Sequence, residues 1–517
     1  MTIKTARLGF WSSFLFGACC TILQADPGRL RARILDADSS KPLTARMYLM
    51  QGEEVLLPQG FAFYDRRGEK HVLVPPTFEI PLDPGAYRVR IEKGKEYLPL
   101  EESLSITEGQ ATERTFRLKR WINMARKGWY SADLHVHRPP EVMAETLLAE
   151  DLNFAPVITV HHWHQWDSLK RAPPALDPLV WVDPEHVYLA NAYEIERIVE
   201  GPGAVILFGS NLTLDFDGHE LFPPASILTR RARTQGGHVD GDKLFWLDVP
   251  VNVALGELDF IQVANNHFFP RSVDSDLRRW ASLKPGPGFE GDKGFALWNM
   301  DLYYRLLNCG FSLPVSGGSA CGVKPLPVGY NRVYAKLRGA FSYERFINAL
   351  KSGISFSTNG PMLDLKVNGK GPGSRIEFST SREMRIEVTA QVASELESVE
   401  IVVNGQVVES LPGNGQATLS LKKKWRFQGS SWVAARAFEK SDKTVVFAQS
   451  SPVYLLKDGK PALVRADLQY WLDRVDELIA RTRNQQGFKD ELQRQDTLAV
   501  YERARKVYVD LLALSSP

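Results

Sequence analysis

Nine of the ten histidines in this 517-residue chain lie between His135 and His267, about a quarter of its length, where an even spread would put about two or three. Imidazole is the commonest metal ligand and titrates near neutral pH. Such crowding points to metal binding or proton transfer rather than to packing.

The spacing sharpens this expectation. Asp133-Leu134-His135-Val136-His137 is an Asp-x-His-x-His unit. On a strand, residues two apart face the same side, so both imidazoles can reach one ion. His161 follows the apolar run 157–160, and Glu194 sits near the end of an apolar run from Val187. Glu196 shares the face of Glu194 and competes with it. His238 follows Gln235-Gly236-Gly237, and His267 follows the run 261–265. The expected ligands are therefore His135, His137, His161, Glu194, His238 and His267. His162 and His164, beside His161, are the candidates for general acid chemistry. His186 reads as a pocket or surface residue, His219 as a loop residue, and His71 lies outside the cluster. Trp163, Trp166, Trp246 and Trp298 fall near these segments and could line an apolar or sugar-stacking pocket, or belong to the core.

Mixed imidazole and carboxylate donors suit zinc, manganese or iron. An ion with an open position makes water a nucleophile near neutral pH, so hydrolysis is the natural reaction class. Four cysteines are too few for a disulfide framework or a cysteine-rich zinc site.

These side chains must be carried by a scaffold. Residues 129–358 alternate apolar runs (154–160, 187–195, 204–208, 260–264, 312–316) with helical segments at 141–151, 295–309 and 343–352. Runs without polar alternation fit strands buried on both faces. The alternation predicts an α/β barrel or a doubly wound sheet. In a barrel, ligands at successive strand ends meet on one face. Residues 29–118 and 361–455 instead show short alternating strands between turn signals such as Asp83-Pro84-Gly85 and Asn404-Gly405, the pattern of two β-sandwiches. Residues 461–514 carry two apolar stripes at helical spacing, broken near Gln485-Gln486-Gly487, which predicts a helical hairpin.

The motifs SADLHVH, LNFAPVITVHH, NAYEIE, GGHV, LDFIQVANNH and LPVSGGSACG together resemble the polymerase-and-histidinol-phosphatase (PHP) superfamily. More closely they resemble its carbaryl-hydrolase-like (CehA/McbA) branch of exported bacterial metallohydrolases, over residues 129–358 and including the tail GYNRVYAKL to TNGPML. The resemblance implies a distorted (β/α)7 barrel with a two- or three-metal centre at the strand C-termini. It places ligands at His135, His137, His161 and Glu194, and at His238 as a later motif histidine. The family's final Gly-Ser-Asp-x-His reads here Gly318-Ser319-Ala320-Cys321-Gly322, without the aspartate and histidine. One or two ions are therefore expected rather than three. The stretch PLDPGAYRVRIEKG and the turn at residues 39–42 resemble carboxypeptidase-regulatory-like domains.

The expected organisation is a signal peptide over 1–25, a β-sandwich over 26–120, the metallohydrolase barrel over 121–360, a second sandwich over 361–457 and a helical hairpin over 458–517. Lys4 and Arg7 precede an apolar run to Leu23, as in a secretory signal. Export to the periplasm or beyond is expected, with no integral membrane span after cleavage, though a retained signal anchor or a lipid attachment stays open. Without residues 1–25 the chain is formally neutral, with 61 basic and 61 acidic residues. Neutrality disfavours nucleic acid as a partner. A small-molecule or carbohydrate-like substrate is expected, its cleaved bond an ester, amide, carbamate or phosphoester. The competing expectation is a catalytically degenerate module that binds carbohydrate or protein. Export permits a disulfide between Cys309 and Cys321.

Overall fold

The structure is a computed structural model that describes residues 26–163, 177–197, 201–214, 221–274 and 283–515, with only the backbone of His162 and Trp163. The expected signal segment, His164, Trp166 and His219 lie outside the described residues.

The described residues open with two facing sheets. Gly28–Asp36 pairs with Thr77–Leu82 and Ala111–Leu118 in one. Ala45–Gln51 and Gly85–Glu92 pair at the centre of the other. In Gly28–Asp36 every second residue is buried, so the period of two read from the sequence is the period of the core. Leu30, Ile34, Met47, Val89, Ile91 and Phe116 fill the space between the sheets.

The central unit uses the predicted apolar runs as strands. Trp129–Ala132, Phe154–Trp163, His186–Arg197, Gly203–Phe208, His238–Gly241, Phe260–Ala264 and Val315–Gly317 lie side by side in chain order, with Leu179–Asp183 as a flanking hairpin arm. Six of the seven run in one direction. Gly203–Phe208 is antiparallel to both neighbours. Only five residues separate Arg197 from Gly203, enough for a reversal but too few for the crossover a parallel strand requires. The backbone also links the two ends of the series. Leu134 N donates to Gly317 O at 3.0 Å, Ala320 N to His135 O at 2.7 Å and His137 N to Cys321 O at 2.8 Å. On its other side Val136 O accepts from Ile158 N at 2.8 Å. The stretch 134–137 is thus held between the second strand and the extension of the last.

Helices Met143–Glu150, Ala225–Thr234, Gly291–Asn308 and Tyr343–Lys351 lie among these strands. The last, expected over 343–352, is capped by Ser342, whose side chain accepts from Arg345 N at 3.2 Å. A further set of pairings has no signature in the sequence. Arg332–Lys336 pairs with Trp129–Ala132 and with Ser355–Thr358, and Ser355–Thr358 pairs onward with Val446–Ser450. The central sheet therefore runs directly into one sheet of the C-terminal β-sandwich. The opposing sheet there is Met362–Val367, Arg382–Gln391 and Thr418–Phe427.

Helices Arg465–Asn484 and Glu491–Leu514 form the expected C-terminal pair. Trp471, Val475, Tyr501 and Tyr508 join the core of helix Gly291–Asn308, and Tyr508 OH donates to Pro250 O at 2.9 Å. Among the described residues no helix is long and apolar enough to cross a membrane. Cys309 and Cys321 are both buried free thiols, so the permitted disulfide does not form.

Candidate metal centre

His135 and His137 stand on the extension of the first central strand, two residues apart and on one side. Their ring centroids are 5.1 Å apart and their Nε2 atoms 3.1 Å apart. The backbone is fixed by Asp133. Its Oδ1 accepts from His135 N at 3.1 Å and Ser319 N at 2.9 Å, and its Oδ2 from Gly329 N at 2.6 Å. The aspartate of the Asp-x-His-x-His unit is a clamp on three chain segments rather than a ligand.

The next two strands bring the remaining donors to the same level. In their parallel register His161 pairs with Glu194 and Trp163 with Glu196. Glu194 is the hub: its Oε1 is 3.1 Å from His135 Nε2, and its Oε2 is 3.1 Å from His137 Nε2 and 3.2 Å from His161 Nε2. His161 Nε2 is also 3.1 Å from Glu196 Oε2. Two donor groups result, His135–His137–Glu194 and His161–Glu194–Glu196, each with its ligand atoms within 4.8 Å of one another. Either could hold a metal ion, and they share Glu194.

Asp242 completes the closed side. Its Oδ1 lies 3.1 Å from His135 Nδ1, and its Oδ2 accepts from Trp246 Nε1 at 3.1 Å and contacts the Lys243 ammonium. A carboxylate behind a histidine whose other nitrogen faces the donor cluster is the usual way to orient a metal-binding imidazole. Glu194 side-chain exposure is 3% and that of Asp242 is 0%, against 21% for His161 and 14% for Glu196. The cluster is therefore closed at Asp242 and accessible from His161.

Burial and neighbouring charge divide the protons unevenly among these donors. Burial works against charge on His135, yet Glu194 and Asp242 pull its pKa up to about 10. Burial takes His137 down to about 4, because the pull of Glu194 is opposed by the charges on its neighbouring imidazoles. Burial would raise Glu194, but His135, His161 and His137 hold it well below the ordinary carboxylate range. Burial, then the adjacent Glu194 charge, raise Glu196. The His135 and His137 Nε2 atoms face each other at 3.1 Å, and both also face Glu194. Lone pairs aimed at a common point are what a cation site requires.

The comparisons with known proteins add little. No family model matches the chain, and no curated protein matches it. Among solved structures it is similar to GBS52, the minor pilin of the gram-positive pathogen Streptococcus agalactiae, at 22% identity and a TM-score of 0.16, covering 19% of this chain and 47% of that one. The chain thus spans about half the length of the pilin. It is similar to a lytic polysaccharide monooxygenase of Jonesia denitrificans at 15% identity and a TM-score of 0.13, covering 25% and 79%. It is also similar to the CARDB domain of the PF1109 protein of Pyrococcus furiosus, solved with di-metal ions, at 18% identity and a TM-score of 0.13, covering 19% and 96%.

Two expected ligands do not join either donor group. His238 begins its strand rather than ending it. Its ring packs edge-on to Phe208 at 5.5 Å, its Nδ1 is buried without a hydrogen bond, and burial lowers its pKa to about 4. The residue of that segment that reaches the cluster is Asp242, two alternations further on. His267 is 3% exposed, with Nδ1 at 2.6 Å from Asp274 O and its ring against Phe245 and Phe295. Burial and the nearby Lys324 and Lys243 charges lower it to about 3. It is a neutral residue packed among aromatic rings. His162 pairs with Ile195 through its backbone, while its side chain and His164 lie outside the described residues. His186 is bound to Asp183 at 2.8 Å in the flanking hairpin.

Trp246 and Trp298 are buried core residues, at 2% and 3% exposure. The motif Gly317-Gly318-Ser319-Ala320-Cys321-Gly322 contributes shape instead of donors. A Cβ on Gly318 would lie 2.5 Å from His135 Cβ, and one on Gly322 2.6 Å from His137 O. Sequence reasoning left Glu196 open and missed Asp242 and Lys243. The signal for Asp242 was present: Asp240-Gly241-Asp242 repeats at a strand end the x-H-x-H spacing used for His135 and His137.

Proposed function

We propose that this chain is an exported metal-dependent hydrolase of the PHP type, close to the CehA/McbA-like branch, that cleaves an ester, amide, carbamate or phosphoester. The observation that carries the reading is the convergence of His135, His137, His161, Glu194 and Glu196 from three successive strands onto two donor groups sharing one carboxylate. Six codirectional strands and one reversed strand, linked end to end through residues 134–137, support a distorted seven-stranded barrel with this cluster at its strand C-termini.

His135, His137 and Glu194 would hold one ion, and His161, Glu194 and Glu196 a second. Zinc, manganese and iron suit such donors. A bound divalent cation supplies Lewis acidity toward a carbonyl or phosphoryl centre and toward water. The protein supplies the rest. Asp242 orients the His135 ring, and Asp133 fixes the backbone from which His135 and His137 project. Phe245, Phe295 and His267 keep water from the buried wall. Substrate enters beside His161 and Glu196, the more exposed donors. His162 and His164 continue the same chain segment, and in this proposal they carry the proton to the leaving group.

One observation favours a second reading, a binding module with a structural metal: residues 318–322 supply backbone contacts but no metal donor. A turnover screen of the metal-loaded chain on aryl esters, amides, carbamates and phosphodiesters separates the two. The hydrolase reading expects metal-dependent turnover on one class that disappears in His135→Ala with its circular dichroism unchanged. Metal bound without turnover on any class would refute it.

A further inference from the structure

Lys243 is 3% exposed, and its ammonium contacts the fully buried Asp242. It stands 5.0 Å from the centroid of the Trp246 indole, whose Nε1 donates to the same carboxylate oxygen. Its charge also faces Glu196 and Glu194. Two buried carboxylates and the partly exposed Glu196 thus share an internal cation placed on the closed side of the cluster. Nothing in the proposed chemistry uses it.

A buried ammonium is costly unless it is paired, and so is a buried carboxylate. Together Lys243 and Asp242 satisfy each other. The pairing commits Asp242 Oδ2 to the ammonium and the indole, while Oδ1 lies 3.1 Å from His135 Nδ1 without a hydrogen bond. A further cation beside Asp242 would lie next to the Lys243 ammonium and meet its repulsion at short range.

We infer that Lys243 is a built-in cation that occupies the Asp242 end of the cluster and limits the chain to the two metal positions that share Glu194. This rests on the metal-binding reading above. Asp242 consequently orients His135 instead of ligating a metal, and Lys243 is a positioning residue that determines ion number.

The test is metal stoichiometry. The full chain is stripped with chelator, reloaded with excess Mn(II) or, separately, Zn(II), desalted, and its metal per chain counted by mass spectrometry of the elements. Wild type and Lys243→Arg are expected to retain no more than two ions. Lys243→Met should retain one more, because Asp242 becomes an uncompensated buried donor. The double variant Asp242→Asn/Lys243→Met should return to the wild-type number. Should Lys243→Met fail to fold, Lys243→Gln, which keeps a hydrogen-bond donor for Asp242, carries the same expectation. An equal, non-zero count in wild type and the folded Lys243 variant overturns the inference alone, as do three ions in wild type. A wild-type chain that retains no ion overturns the metal reading and this inference with it.

Discussion

Asp242→Asn isolates the orienting role that the structure gives to a residue outside the donor groups. The substitution keeps volume and shape at a site with no exposure, so it opens no cavity. It removes the negative charge 3.1 Å from His135 Nδ1 and the carboxylate that the Lys243 ammonium contacts. Both changes act in one direction. The His135 ring becomes a weaker donor and loses the partner that sets its tautomer, and a less compensated positive charge sits beside the ion. Removing an orienting carboxylate behind a metal-bound imidazole costs about 10- to 100-fold in affinity, or about 1.4–2.7 kcal/mol. The lysine that loses this partner places the variant at the upper end. The assay is competition for Zn(II) against a chromogenic chelator, with thermal unfolding of the metal-free variant as the fold control. Asp183→Asn removes a carboxylate 2.8 Å from His186, a comparable pair away from the cluster, and should leave affinity unchanged. Affinity of Asp242→Asn within twofold of wild type would show that His135 does not depend on Asp242, and the assignment of the closed side would fall.

Other expectations reach beyond the donors. Gly318→Ala should weaken metal binding without removing any ligand, because its Cβ would meet His135 Cβ at 2.5 Å and Gln262 Oε1 at 2.7 Å; overpacking of this kind costs about 1–3 kcal/mol of stability, and calorimetric titration with unchanged affinity would contradict it. At the junction of the first sandwich with the central unit, Arg46 pairs with Glu92 and Glu150. Burial opposes ionisation of Glu92, yet Arg46 and Arg90 bring its pKa from 4.5 to about 2. A depressed carboxylate stabilises the fold above its unfolded pKa and loses that contribution as pH falls toward the folded value. Glu92→Gln should therefore be less stable than wild type at pH 7 by up to about 3 kcal/mol, with the gap closing between pH 4.5 and 2 in denaturant titrations; a gap independent of pH would refute the pairing. Cys309 and Cys321 are buried free thiols, so peptide mapping should find both modified by a thiol reagent only after unfolding, and reductant should leave the melting temperature unchanged.

Much of the site was legible because its donors obey local rules. His135 and His137 share a face by the period of two, and His161 and Glu194 each end an apolar run, so neighbouring strands in register had to bring them together. His238 failed under the same rule because Gly236 and Gly237 precede its strand instead of closing it. His267 failed because a nearby carbonyl and two phenyl rings take up its surroundings. Neither fact has a signature in spacing alone. The reversed strand Gly203–Phe208 was hidden in a loop length that the apolar run itself does not reveal.

The sequence by itself determined many of the strands and helices, since burial periodicity and turn residues are local, and it pointed to imidazoles and a carboxylate at strand ends. Only the tertiary structure decided which of them meet. It brought Asp242 behind His135, put Lys243 against Asp242, and fused the central sheet with the C-terminal sandwich. These choices depend on strand direction and register across hundreds of residues, and on the balance of buried charges that exists only once those strands are assembled.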